Sequence, residues 1–277
     1  MPGDLDGTPA VEVRKPSRAR SQAAKRAART RAENARLSAM WKHERELWRA
    51  GYNLIAGVDE SGVGPLAGPV VAAAVILPQD FKAPGLWECK RLLAEKRPHF
   101  WGIIRDCATA VAVGMVEVEE LDRINIHQAA LKAMRLALCG LPTAPDAALV
   151  DAFAIPGLGI FHRPIVDGDA YSMSIAAASV VAKVTRDRIM ERLDRLHPGY
   201  GFANHKGYGT REHREAIGRL GVCPIHRRSF APVARFLETG STELGEGSEY
   251  GDDAPPRIAI AGLVGSATAD LAPDDRR

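Results

Sequence analysis

Cysteine is scarce in this chain: four residues in 277, at positions 89, 107, 139 and 223. No two of them have metal-ligand or redox spacing, which argues against a cysteine-built metal or dithiol centre and leaves them as buried, reduced thiols of a cytoplasmic protein. No apolar run approaches ~18 uninterrupted residues, which excludes a transmembrane helix. The N-terminus has no apolar segment of signal type, and no internal repeat is present. Acidic residues are almost missing from one early stretch of the chain. Between Arg14 and Arg36 nine basic residues face a single acid, Glu33. The reverse holds from Phe236 onward, where nine acidic residues meet three basic ones, so a net charge of only +3 conceals a basic head and an acidic tail. A basic run of this kind fits either a solvated helical arm or a contact to nucleic acid.

The most informative stretch runs from Ile55 to Leu77. Two short apolar runs, bounded by Gly and Pro, read as buried strands. The first ends in adjacent carboxylates, Asp59 and Glu60, which point to opposite faces if the strand continues through both. A buried charge at a strand end is costly unless it is paired or holds a metal. Between the strands lies a turn with Gly62, Gly64 and Gly68 and with Pro65 and Pro69. Its bared amides suit phosphate or sugar oxygens. No Gly-Lys-Ser/Thr follows, so it is not a P-loop, and the glycines lead into a strand, which excludes a dinucleotide fingerprint.

Along the rest of the chain, residues 1–21 are expected to be disordered and 23–50 helical, with Leu37, Met40, Trp41, Leu47 and Trp48 docking on the core. Helices are expected over 94–110 (buried stripe Phe100, Trp101, Ile104, Cys107), 125–141 (Ile126, Ala130, Leu131, Met134, Leu138 inward), 172–196 and 210–220. Strands are expected over 54–59, 70–77, 111–118, 147–151 and 160–166. The order, three strands and then strands separated by helices, predicts an α/β protein with a mixed five-stranded sheet flanked by helices. The organisation expected is a basic, largely disordered arm over 1–36 running into a helix, a catalytic domain over 37–235, and an acidic disordered tail over 236–277.

Asp59, Glu60, Asp151 and Asp169 each end or follow an apolar run. Carboxylates converging from several strands at one sheet edge are what hard divalent ions need, and a pair of such ions can cleave a phosphodiester. Asp167 competes with Asp169 on sequence alone.

The string Ile55–Leu77 resembles the first motif of bacterial ribonuclease HII, the type 2 ribonuclease H family. Ala148-Leu149-Val150-Asp151, Gly168-Asp169, Ser174–Ser179 with Ala182–Asp187, Tyr200-Gly201-Phe202, His205–Thr210 and His226–Phe230 match its later motifs in order. The chain departs from the pattern in three places. Val63 replaces the arginine of the usual Gly-Arg-Gly, Ala152 stands where glycine is usual, and Glu88-Cys89 precedes Lys90 and Arg91 where Asp-Ser-Lys-Lys is usual.

The resemblance implies a ribonuclease H-like fold with a small helical C-terminal extension. It implies an Mg2+- or Mn2+-dependent endoribonuclease that cuts the RNA strand of RNA–DNA hybrids and ribonucleotides embedded in duplex DNA, leaving 5′-phosphate and 3′-hydroxyl ends. Asp59 bridges two ions in that scheme; Glu60 and Asp151 complete one and Asp169 the other, Asp169 being preferred over Asp167 because it directly follows Gly168. The expected substrate contacts are the Gly62-Val63-Gly64 turn, Lys90, Arg91, Lys183, Arg186, Lys206 and Tyr208, with the turn reading the 2′-hydroxyl and Tyr208 stacking on the following deoxyribose. A cytoplasmic monomer is expected. The alternative is a hybrid-binding protein of the same fold with weak or lost catalysis.

Overall fold

The structure, a computed structural model, describes residues 18–86 and 92–241. The chain opens with α1 (Arg18–Met40) and α2 (Lys42–Arg49), then β1 (Ile55–Ser61) and β2 (Val70–Ile76). A 3-10 turn (Ala94–Lys96) leads into α3 (Arg97–Cys107), β3 (Ala110–Val116), α4 (Val118–Ile124) and α5 (Ile126–Cys139). Next come β4 (Ala147–Asp151), β5 (Phe161–Ile165), α6 (Gly168–Tyr171) and α7 (Met173–Leu196). Three helices close the described chain: α8 (Phe202–His205), α9 (Arg211–Leu220) and α10 (Ala231–Thr239).

The sheet is mixed and five-stranded, in the order β3-β2-β1-β4-β5. β1, β2 and β3 pair antiparallel, while β4 lies parallel to β1 and β5 parallel to β4. Every residue of β2 is buried, as its unbroken Val/Ala/Ile run requires of a strand covered on both faces. Val70, Ala72, Ala74 and Ile76 pack with Ala130, Met134 and Ala137 of α5. Ala73 and Val75 face the other way, toward Ala177, Val180 and Val181 of α7 and Phe100 and Ile104 of α3.

Small residues set the depth of this packing. A Cβ on Gly57 of β1 would lie 2.0 Å from the Ser174 carbonyl carbon, so α7 rests directly on the strand backbone. The start of α7 is held from far away in sequence. Glu44 of α2, buried, accepts hydrogen bonds from Ser172 Oγ (2.6 Å), Ser174 N (3.0 Å) and Ser174 Oγ (2.7 Å). A carboxylate there also meets the positive end of the helix.

The five strands and the helices expected over 94–110, 125–141, 172–196 and 210–220 stand where the residue pattern puts them, within a few residues, whereas the one helix expected over 23–50 is two, α1 and α2, broken at Trp41. The short helices α4, α6, α8 and α10 were not expected, and α10 runs past the boundary anticipated at residue 236. α1 starts at Arg18, inside the stretch expected to lack structure. Cys107 and Cys139 are exposed, contrary to the expectation of buried thiols; each is the last residue of its helix, turned from the core, and only Cys223 of the described cysteines is buried. Cys89 and the acidic tail beyond residue 241 lie outside the described residues. Ala152 has φ +56°, the left-handed region that glycine occupies without strain.

Candidate active site

β1 continues through both of its carboxylates, and they do take opposite faces. Asp59 pairs with Ala73 and so shares the α7 side; Glu60 pairs with Ala72 and shares the α5 side. Val58 pairs with Val150 on the parallel strand, so Asp151 follows level with Asp59. Asp151 belongs to the same face as Leu149, which packs on Ile175 of α7. Glu60 lies past the last pair with β4, and its longer side chain comes back to the edge. One carboxylate oxygen each from Asp59, Glu60 and Asp151 thus lies within 4.8 Å of the others.

Asp169 is brought in through the backbone. Asp151 Oδ1 accepts a 2.6 Å hydrogen bond from Gly168 N, which fixes the first turn of α6 against the end of β4. A Cβ at Gly168 would lie 2.7 Å from the Ile175 side chain and 3.1 Å from Asp151 Oδ1, so the glycine permits this approach. Asp169 is then buried, at 2 % exposure, and close enough for its charge to act on Asp59. Asp167 is exposed, with φ +51°. Of the two carboxylates left open by the sequence, Asp169 faces the cluster.

Burial first, and then the charges of Asp151, Glu60 and Asp169, push the Asp59 carboxyl well above the usual carboxylate range, against a hydrogen bond from Ser179 of α7. Crowded, buried, all-oxygen carboxylates fit a hard divalent cation, whose charge would relieve the repulsion.

The glycine turn beside this edge is held from behind by two buried arginines. Arg227 donates to the carbonyls of Gly62 (2.5 Å), Val63 (2.9 Å), Gly68 (2.8 and 3.0 Å) and Pro69 (3.3 Å). Arg186 of α7 donates to Ala67, Pro69 and Lys206, each at 3.0 Å. Gly62 has φ +98°, and a Cβ there would strike Arg186 Nε at 2.1 Å, so glycine is needed both for conformation and for space. Burial pulls both guanidinium groups down from their ordinary range, strongly for Arg227, whose neighbour Arg186 adds to the effect. Carbonyl oxygens replace the lost water.

Arg186 therefore corrects an expectation: it is fully buried with its donors spent on loop carbonyls, and cannot reach a phosphate. Lys183 is paired with Asp187 (2.5 Å) and Lys206 with Glu191 (2.6 Å), both lysines being largely covered. Lys90 and Arg91 lie outside the described residues. Tyr208 is half-buried, on the loop that Arg186 ties to the glycine turn through Lys206 O. Arg227 is the residue beside the site that its sequence position hides, because an arginine in the His226-Arg227-Arg228 run reads as a surface or phosphate-contacting charge.

A ribonuclease H-like sheet with carboxylates converging at the edge of its central strands defines a metal-dependent nuclease. The family model described as ribonuclease HII matches residues 56–233. A ribonuclease HII of Myxococcus xanthus is 51 % identical over 235 residues, covering 84 % of this chain and 80 % of the relative. One of Geobacillus kaustophilus is 54 % identical over 211 residues, covering 76 % of this chain and 81 % of the relative. Among solved structures, ribonuclease H2 of Pyrococcus horikoshii superposes with a TM-score of 0.57 at 25 % identity, covering 67 % of this chain and 98 % of that one. The chain belongs to the ribonuclease HII family, whose members are metal-dependent endoribonucleases.

Proposed function

We propose that the chain cuts the RNA strand of RNA–DNA hybrids and also single ribonucleotides embedded in duplex DNA, using Mg2+ or Mn2+ held by Asp59, Glu60, Asp151 and Asp169. The observation that carries this reading is the convergence of Asp59, Glu60 and Asp151 within 4.8 Å beside the glycine turn. Two divalent ions, when bound, supply an activated water and charge relief on the leaving oxygen, giving 5′-phosphate and 3′-hydroxyl ends. Asp59, central in the cluster, would be shared between the two ions, with Glu60 and Asp151 completing one position and Asp169 the other. Gly62, Val63 and Gly64 offer the 2′-hydroxyl their backbone groups, which requires no side chain at position 63. Gly62 O and Val63 O already accept from Arg227, so reading falls to the remaining groups of the turn. Tyr208 stacks on the sugar that follows. Lys183, Lys206, Lys90 and Arg91 contribute positive potential along the strand.

α1 extends the grip. Lys25, Arg29 and Arg36 recur at helical spacing and fall within an arc of about 40°. Arg36 Nη2 donates to Leu86 O at 2.7 Å and Glu33 accepts from Gly85 N at 2.9 Å, so the helix is rooted at Gly85 and Leu86, four residues before Lys90 in sequence. Lys25 and Arg29 project from that root exposed to solvent, and we assign them to the phosphates of a duplex beyond the cut. The free, exposed thiols of Cys107 and Cys139 fit a monomer working in the reducing cytoplasm.

The test is cleavage of two duplexes, a full RNA–DNA hybrid and a DNA duplex with one ribonucleotide, each with Mg2+ and with Mn2+. Cutting of both is expected. Cutting of the hybrid alone would remove the single-ribonucleotide activity, and cutting of neither would leave a binding protein.

A further inference from the structure

His205, His213 and His226 lie buried together beneath the Tyr208 loop, away from the carboxylates, against the rings of Tyr200 and Phe202. Their contacts fix every ring proton. His213 Nδ1 is 2.8 Å from the Tyr208 carbonyl, which can only accept, so Nδ1 carries the hydrogen. Nε2 of His213 is then an acceptor, and the Nε2 of His226 facing it at 3.1 Å must donate. Nδ1 of His226 is left with its lone pair, which receives Cys223 N–H at 2.9 Å. His205 donates from Nε2 to the Tyr200 carbonyl (2.8 Å) and accepts Gly207 N–H at Nδ1 (3.2 Å). All three rings are satisfied as neutral tautomers. Burial, which disfavours the cation, holds His213 at about 3 and His226 at about 4.

The relay ends at Tyr208 and begins one residue from Arg227. A single short segment therefore reaches both substrate-facing parts: Arg227 holds the glycine turn, and His226, through His213, holds the Tyr208 carbonyl. We propose that His226 and His213 are positioning residues that fix the Tyr208 ring relative to the Gly62–Gly64 turn, so that a ribonucleotide and the deoxyribonucleotide after it are read at one spacing. The inference rests on the reading of Tyr208 and the turn as substrate contacts.

His213→Leu removes the donor to Tyr208, whereas the amide of His213→Asn can replace it. KM and kcat are measured on the single-ribonucleotide duplex, in the wild type and in a Tyr208→Ala background, alongside thermal melting. His213→Leu should raise KM roughly threefold to tenfold, the effect of one buried hydrogen bond, with kcat changed less. Asn should restore most of it. In the Tyr208→Ala background His213→Leu should add nothing to KM, because coupled residues are not additive. The same KM rise in both backgrounds would show a merely structural histidine and overturn the proposal. If His213→Leu does not fold, His226→Leu carries the same comparison, with the same two outcomes. Tyr208→Ala alone leaving KM unchanged would instead refute the substrate role of Tyr208, and the proposal with it.

Discussion

Two buried clusters of like charge stand at the heart of this molecule and are treated in opposite ways. At the strand ends, burial and three neighbouring carboxylates push Asp59 upward. Behind the glycine turn, burial and Arg186 push Arg227 downward. The difference is in what surrounds them. The arginine donors are saturated by loop carbonyls at 2.5–3.3 Å. The carboxylates keep their mutual repulsion, which is stored affinity for a cation. The acidic cluster is crowded by its own charges, whereas the basic one is closed off by carbonyl acceptors. Neutralising the first should cost function and spare the fold; neutralising the second should cost the fold, and function only through it.

The strongest test is Asp59→Asn. Hydrolysis should fall by orders of magnitude while duplex binding persists, since the group proposed to bridge both ions loses its charge. In divalent-free buffer the melting temperature should rise, because one repelling charge is gone. Near-wild-type turnover would remove Asp59 from the metal site. The neighbouring pair sharpens the same point: Asp169→Asn should also lose activity by orders of magnitude and Asp167→Asn should not. Equal losses in single-turnover rate would refute the assignment.

On the architectural side, Arg227→Met should destabilise the protein by about 3 kcal/mol or more, because several buried carbonyls lose their donor together. Urea unfolding measures this, and a loss below about 1 kcal/mol would break the contrast between the clusters.

The histidines give a pH signature. Their folded values, about 3 for His213 and about 4 for His226, lie below the ordinary 6.5. The unfolded chain therefore binds more protons between pH 6.5 and about 4, and stability present above that window is lost as pH falls through it. Every tenfold drop in proton affinity on folding is worth about 1.4 kcal/mol. His226→Leu should flatten the slope of unfolding free energy against pH over this window; an unchanged slope would mean the rings do not titrate as described. The smallest effect is Ala152→Gly, which should stabilise by about 1 kcal/mol by relieving a left-handed alanine. Calorimetry showing a lower melting temperature would mean that the strain is absorbed elsewhere.

The strands and the carboxylates were legible because each follows from one local pattern. Val70–Ile76 is a buried run, and Asp59, Asp151 and Asp169 end or follow such runs. The choice of Asp169 over Asp167 rested on a motif and gains support from burial. Arg186 was misread because its surroundings come from residues 67, 69 and 206, which no local window contains. The histidine relay was invisible for the same reason: His213 and His226 sit 13 residues apart, on a helix and a loop with no shared period. The short helices escaped because a turn or two of helix carries too little periodicity to register.

The bond from Arg227 to Gly62 spans 165 residues of chain. At ~5–20 residues per second of synthesis, the turn between β1 and β2 leaves the ribosome roughly ten to thirty seconds before the guanidinium that completes it. The turn beside the carboxylates is thus among the first parts made and the last finished. A nascent or prematurely terminated chain that stops short of residue 227 carries all four carboxylates but no fixed turn. The geometry of the turn is therefore complete only when nearly the whole of the described domain has been synthesised.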